Sequence, residues 1–250
     1  MKKQTKPWTN IKLNSSLEQN LTDIRTTFGN SSDLEIREIR LGRKGLVKAA
    51  VLFIDGLAKS ETVEELLQVL MLEIREARLD QGYAMHRGLL ELIEKRSLPA
   101  GEVEKISDFD QLFLSILCGK AVFLFDEHHQ GISVDVRGWE ARSVKEPETQ
   151  TVVRGPREGF TETLRTNTSM IRRKIHDPRL WLETRYIGRV TQTEVAIMYI
   201  NGIANDEIVQ EVRERLGRIN IDGILESGYI EELIEDAPRS PFPTILNTER

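Results

Sequence analysis

The sequence predicts an α/β protein made of two α/β subdomains related by an internal strand–strand–turn–helix repeat. Three observations carry that expectation. Residues 34–70 and 180–216 align without a gap at an offset of 146, with 11 of 37 positions identical, among them Gly42/Gly188, Gly56/Gly202 and Ala58/Ala204. Each copy holds a short apolar run, "AAVLFI" or "VAIMYI", of the kind found in strands covered on both faces. Each run then ends in Asp55-Gly56 or Asn201-Gly202, a pair suited to a tight turn, and an amphipathic segment follows.

In chain order, Leu17, Leu21, Ile24 and Phe28 mark an amphipathic helix closed by Gly29. Leu34 and Ile36 in the first repeat, and Leu182 and Tyr186 in the second, fall on the period of two of half-buried strands. Ser60 and Asp206 are equivalent, and either oxygen can cap the helix that follows. Val63, Leu66, Leu67, Leu70 and Ile74 form the buried stripe of the first helix; Ile208, Val209, Val212 and Leu216 form that of the second. Between the copies, "GLLELIEKR" reads as helix. "SDFDQLFLSILCG" reads as a helix capped by Asp108 and stopped by Gly119. "KAVFLFDEHHQGISVDVRGW" reads as a hairpin turning at His128 to Gly131, and the Pro147 segment as a linker.

A helix is expected from Pro156, with Phe160, Leu164, Ile171 and Ile175 buried and Arg172-Arg173-Lys174 on a solvated face. The resulting division is a leader and N-terminal helix in 1–30 and a first subdomain in 31–150. A linking helix and second subdomain occupy 151–237, and a Pro-rich linker 238–250.

Several functions are disfavoured by composition and motif. The net charge of −5 disfavours a nucleic-acid partner, because phosphate attraction needs a basic footprint. A single cysteine, Cys118, excludes an intrachain disulfide, and its apolar setting reads as a structural thiol. The apolar stretch "LFLSILCGKAVFLF" is too short and too polar to span a bilayer. His128 and His129 are neighbours on an extended hairpin and point to opposite faces, so they read as turn residues and no metal site is expected. Phosphate-loop, dinucleotide and hydrolase motifs are missing from the sequence, so neither a catalytic residue nor a cofactor is expected.

The stretch "VVRGPREGFTETLRTNTSMIRRKI", residues 152–175, holds five arginines and a lysine. Two readings stay open. In one, Arg154 and Arg157 clamp a phosphate or carboxylate beside a helix N-terminus. In the other, the arginines bridge to acidic loops of the neighbouring subdomain, while Glu158, Glu162 and Arg165 pair along the wet side of the helix. The surplus of carboxylates favours the second. Asp55 and Asn201, at the ends of the repeated strands, would line any cleft between the subdomains that held a small ligand.

"GPREGF", "LRTN", "IRRKI", "HDPRLWLE" and "YINGIAN", with "DVRGWEARSV" before and "ESGYIEELIED" after, carry a family likeness. From about Leu34 to the last residue, the chain resembles the A subunits of the GerA family of spore germinant receptors. The resemblance implies a non-enzymatic role in nutrient sensing, signal transduction and receptor assembly that triggers germination. It implies partners: a permease-like B subunit, a lipoprotein C subunit and a small nutrient germinant. Family subunits continue from a Pro-containing segment like "RSPFPTILNTER" into a multi-helix membrane domain. The chain is therefore expected to be the soluble N-terminal region of a protein of the spore inner membrane, on the cytoplasmic (spore core) side.

Overall fold

The structure is a computed structural model that describes residues 8–41, 45, 47–76, 103–138, 158–237 and 245. In chain order the elements are α1 (Leu17–Thr27), β1 (Leu34–Leu41), β2 (Val47–Ile54), α2 (Ser60–Glu76), β3 (Val103–Ile106), α3 (Phe109–Leu117), β4 (Lys120–Phe125) and β5 (Gly131–Asp135). They are followed by α4 (Leu164–Lys174), β6 (Leu180–Ile187), β7 (Thr193–Ile200), α5 (Asp206–Arg218) and α6 (Ser227–Ile234). The chain divides into two compact units. One comprises Met1–Glu140 and Thr168–Pro178, the other Ala141–Asn167 and Arg179–Arg250.

The first unit is built on a five-stranded sheet of order β1-β2-β4-β5-β3, antiparallel at every step. Side chains alternate across β2, and both of its faces are buried. Ala49, Val51 and Phe53 pack with Val63, Leu66, Leu70 and Ile74 of α2. Ala50, Leu52 and Ile54 pack with Leu21 and Ile24 of α1 and with Leu112 and Ile116 of α3. The unit is thus three layers with residues 49–54 of the inner strand β2 out of water, as the apolar run predicts. Asp108 caps α3 by accepting the Gln111 N–H at 2.9 Å, and the hairpin turns between β4 and β5 as expected. The N-terminal segment is no loose leader from Trp8 onward. Trp8 and Leu13 are buried in the α1–α3 core, with the Trp8 ring edge-on to Phe113 at 5.6 Å.

The second unit pairs β6 with β7 antiparallel, and a smaller core gathers on one side of that hairpin. There Ile187, Leu216 and Ile224 are buried, and Val195, Ile197, Val212 and Ile230 pack on them. Here the sequence expectations need correction. β7 is half-buried along most of its length rather than covered on both faces, and among the described residues its sheet has two strands. Tyr186 and Ile208 are exposed. The cap of α5 is Asn205, whose side chain accepts the Glu207 N–H at 2.9 Å, while Asp206 is the first helical residue.

The internal repeat is reproduced to the residue. β1 pairs β2 from Leu34↔Ile54 to Leu41↔Val47, and β6 pairs β7 from Leu180↔Ile200 to Ile187↔Thr193, the same register displaced by 146. The turns agree as well. The Asp55 N–H donates to the Asp33 carbonyl and the Asn201 N–H to the Arg179 carbonyl, each at 2.8 Å. Gly56 and Gly202 follow at φ of 83° and 78°, a left-handed conformation that glycine adopts without steric cost.

Two expectations about the linking region change. Helix α4 starts at Leu164, not at Pro156. Ahead of it the Asn167 side chain clamps a non-helical loop, accepting the Thr161 N–H at 2.7 Å and donating to the Thr161 carbonyl at 2.7 Å. Phe160 therefore lies outside the helix and is exposed, and Leu164, Ile171 and Ile175 are only half-buried. Thr168–Pro178, expected with the second subdomain, groups with the first unit. "GLLELIEKR" and the Pro147 segment lie outside the described residues.

Candidate functional site

The face that α4 buries is polar: Thr168, Ser169 and Arg172 go inside with Met170. Thr168 and Ser169 stand four and three residues before Arg172 and so share its face. Arg172 is fully buried, where the basic triplet had suggested a solvated side chain. Its Nε donates to Asp33 Oδ2 at 2.7 Å, and its Nη2 donates to Asp33 Oδ1 and to Ser31 Oγ, both at 2.9 Å. The Ser31 hydroxyl donates in turn to Asp33 Oδ1 at 2.8 Å. The guanidinium carbon lies 5.9 Å from the centre of the Phe28 ring, a cation–π distance. Nη1 is buried with no hydrogen-bond partner among the described residues.

This arrangement is a latch. A forked guanidinium meets a carboxylate two-on-two, and burial removes the competing water that weakens surface pairs. It fastens α4 to the segment joining α1 and β1, 139 residues earlier in the chain. Helix α4 also belongs to both units: Leu164–Asn167 fall in the second and Thr168–Lys174 in the first.

The second unit has its own polar cluster. Arg213 of α5 donates through Nε to Glu183 Oε2 of β6 at 2.9 Å and through Nη2 to the Tyr199 hydroxyl of β7 at 2.8 Å. The Tyr199 hydroxyl donates to Glu183 Oε1 at 2.7 Å. The Arg213 hydrogen bonds hold the Glu183 carboxyl below its ordinary range. Burial, and then the neighbouring Glu183 carboxylate, push Tyr199 up to about 12. Both polar clusters are braces. Neither pairs a nucleophile with a base.

The residues singled out from the sequence are placed as follows. Arg154 and Arg157 lie outside the described residues. Glu158 precedes α4 and Arg165 lies in its first turn; both are exposed. Asp55 and Asn201 occupy the same turn of the two repeats, one in each unit. The rule that gathers ligands at strand ends belongs to parallel sheets, whereas these are antiparallel, so it lends those two residues no support. His128 Nδ1 lies 2.8 Å from the Asp126 carbonyl within its own turn. Among the described residues no group of three or more His, Cys, Asp or Glu side chains is placed to hold a metal ion. Sequence reasoning missed the Arg172 latch. The signals for it were small polar residues on one helical face with an arginine, and the polar "SSD" ahead of the first strand.

The fold is thus an antiparallel α/β repeat braced by two polar clusters, the buried Arg172 latch of the first unit and the Arg213–Glu183–Tyr199 cluster of the second. The chain belongs to the family described as Bacillus/Clostridium GerA spore germination protein, whose profile matches residues 22–250. It is 42% identical to spore germination protein KA of Bacillus subtilis (strain 168), over 96% of this chain and 43% of that protein. It is 35% identical to spore germination protein GerLA of Bacillus cereus, over 96% of this chain and 47% of that protein. The chain thus spans a little under half the length of these relatives. Among solved structures, the N-terminal domain of the A subunit of the Bacillus megaterium spore germinant receptor GerK3 matches with a TM-score of 0.71 and 39% identity, over 96% of this chain and 86% of that one. Among the described residues no helix is long and apolar enough to cross a membrane.

Proposed function

We propose that the chain is the non-enzymatic N-terminal domain of a spore germinant receptor A subunit, and that it relays a nutrient signal and supports receptor assembly. Its partners in this reading are a permease-like B subunit and a lipoprotein C subunit. Its place is the cytoplasmic, spore-core side of the inner membrane, joined to a membrane domain that follows it. The match along nearly the whole chain to the GerK3 A-subunit domain supports the receptor role.

One observation carries the relay: α4 is shared by both units and locked to the first by Arg172 and Asp33. A change in either unit that strains this helix must load the latch, and discrete packed elements of this kind transmit displacement. The test puts Arg172→Met and Asp33→Asn into the full-length subunit and follows nutrient-triggered germination alongside subunit abundance. The expected result is slowed germination at equal abundance. Normal germination at equal abundance, or loss of germination that merely tracks loss of the subunit, removes the latch from signalling. Arg154→Ala with Arg157→Ala tests the preceding basic segment in the same way.

A further inference from the structure

A groove of about 440 Å³ opens beside α1, walled by the ends of β1 and β2. The register sets Arg40 of β1 directly opposite Lys48 of β2, and both line the groove. Both side chains are exposed, and like charges in directly opposed positions destabilise a sheet mildly, so an anion bound between them would relieve the repulsion. Two of the three carboxylates that line the groove are otherwise engaged. Glu38 pairs with Arg25 at 2.9 Å. Asp126 accepts the Leu17 N–H at 3.0 Å, where it serves the start of α1. Among the described residues neither the Arg40 nor the Lys48 side chain has a hydrogen bond or an ion pair. By contrast Arg37, three residues before Arg40 on the same strand, is paired with Glu64 at 3.2 Å.

We propose that this groove binds a phosphate ester, its phosphate held between the Arg40 guanidinium and the Lys48 ammonium. The guanidinium fork offers paired donors to phosphate oxygens and the ammonium adds a point charge. The start of α1 opens onto the same space but is already capped by Asp126 and Ser16, so the two cations must supply the attraction. The volume suits a small molecule rather than a bare ion. Glu18, Glu38 and Asp126 also reach the wall. They disfavour a polyanion and select a ligand with one phosphate and donor groups elsewhere, such as hydroxyls. A soluble phosphate ester and a glycerol-bearing phospholipid headgroup share that chemistry.

The test titrates glycerol 3-phosphate into the 250-residue chain by calorimetry, and separately sediments the chain with phosphatidylcholine vesicles with and without phosphatidylglycerol. Saturable heat with glycerol 3-phosphate assigns a soluble ester. Sedimentation that requires phosphatidylglycerol assigns the lipid headgroup. In either arm the variant carrying Arg40→Gln and Lys48→Gln is expected to bind about tenfold more weakly or worse. Arg37→Gln is expected to bind as the unaltered chain does. Loss of like-charge repulsion should leave the double variant melting no lower than the parent, which separates lost binding from lost folding. The proposal is overturned by silence in both arms, by undiminished binding in the double variant, or by equal weakening in Arg37→Gln.

Discussion

In the first repeat Phe53 of β2 and Leu67 of α2 are buried in one core, and at the equivalent positions the second repeat has Tyr199 and Arg213. The strand residue facing them changes too, from Arg37 to Glu183. Arg37 lies over the Phe53 ring at 5.4 Å and pairs with Glu64 of α2. Glu183 takes both Arg213 of α5 and the Tyr199 hydroxyl. Both repeats therefore tie their first strand to their helix with an ion pair, but the signs are exchanged. The backbone register is kept while the chemistry of the clasp is free to vary. The difference follows from the surroundings. The first repeat has a helix layer on each face of its sheet and can exclude water from a phenyl ring, whereas β7 of the second is only half-buried and Tyr199 there is held by polar contacts.

The most damaging change is expected where the first unit has no counterpart in the second. Asp33 is equivalent to Arg179, and only the backbone carbonyl of each does the same work. Asp33→Ala leaves Arg172 buried without its anion and is expected to cost about 3–5 kcal/mol in urea unfolding. A loss under 1 kcal/mol would show that the guanidinium finds water in solution. Next, the paired truncations Leu66→Ala and Val212→Ala compare the two cores directly. The first is expected to cost about 2–5 kcal/mol and the second, half-buried, about 1 kcal/mol. Equal losses would mean that the second core is as closed as the first.

The Tyr199 clasp gives a smaller effect with a pH signature. Tyr199→Phe is expected to cost about 1 kcal/mol near neutrality. Glu183 is held below its ordinary value of 4.5, so its stabilisation is complete above that pH and is lost as pH falls below it. Tyr199 is raised from 10.0 to about 12, so its stabilisation is complete below pH 10 and is lost between pH 10 and 12. Trp181 sits edge-on to Tyr199 at 6.0 Å, and its fluorescence should report both limbs. Glu183→Gln should flatten the acid limb and Tyr199→Phe the alkaline one. Smallest of all, Asn205→Ala removes the cap of α5 for about 1 kcal/mol or less, measurable as a shift in the melting of the second unit alone.

The features legible in the sequence were local ones. Gly56 and Gly202, the apolar runs and the ungapped alignment disclosed the repeat because turns and strands write their needs into adjacent residues. The Asp108 cap was readable for the same reason. Arg172 was not. Its burial depends on a carboxylate 139 residues away, and a basic triplet gives no hint of which member finds a partner. The start of α4 was misplaced because the interval from Phe160 to Leu164 mimics a helical turn, while the Asn167 clamp on Thr161 holds that stretch as a loop. Ile208 and Tyr186 fit their periodic patterns but stand outside, since a pattern names a face and does not supply the layer that covers it. The antiparallel sheets, too, remove the strand-end rule that had pointed to Asp55 and Asn201.

The first unit is discontinuous, completed by Thr168–Pro178 after an excursion into the second. On a ribosome, the N-terminal lobe must therefore wait for that late piece to emerge before Asp33 can be neutralised. The two lobes cannot mature strictly in order of synthesis, and a nascent chain paused before residue 172 would carry an unmatched aspartate at the heart of its half-built fold.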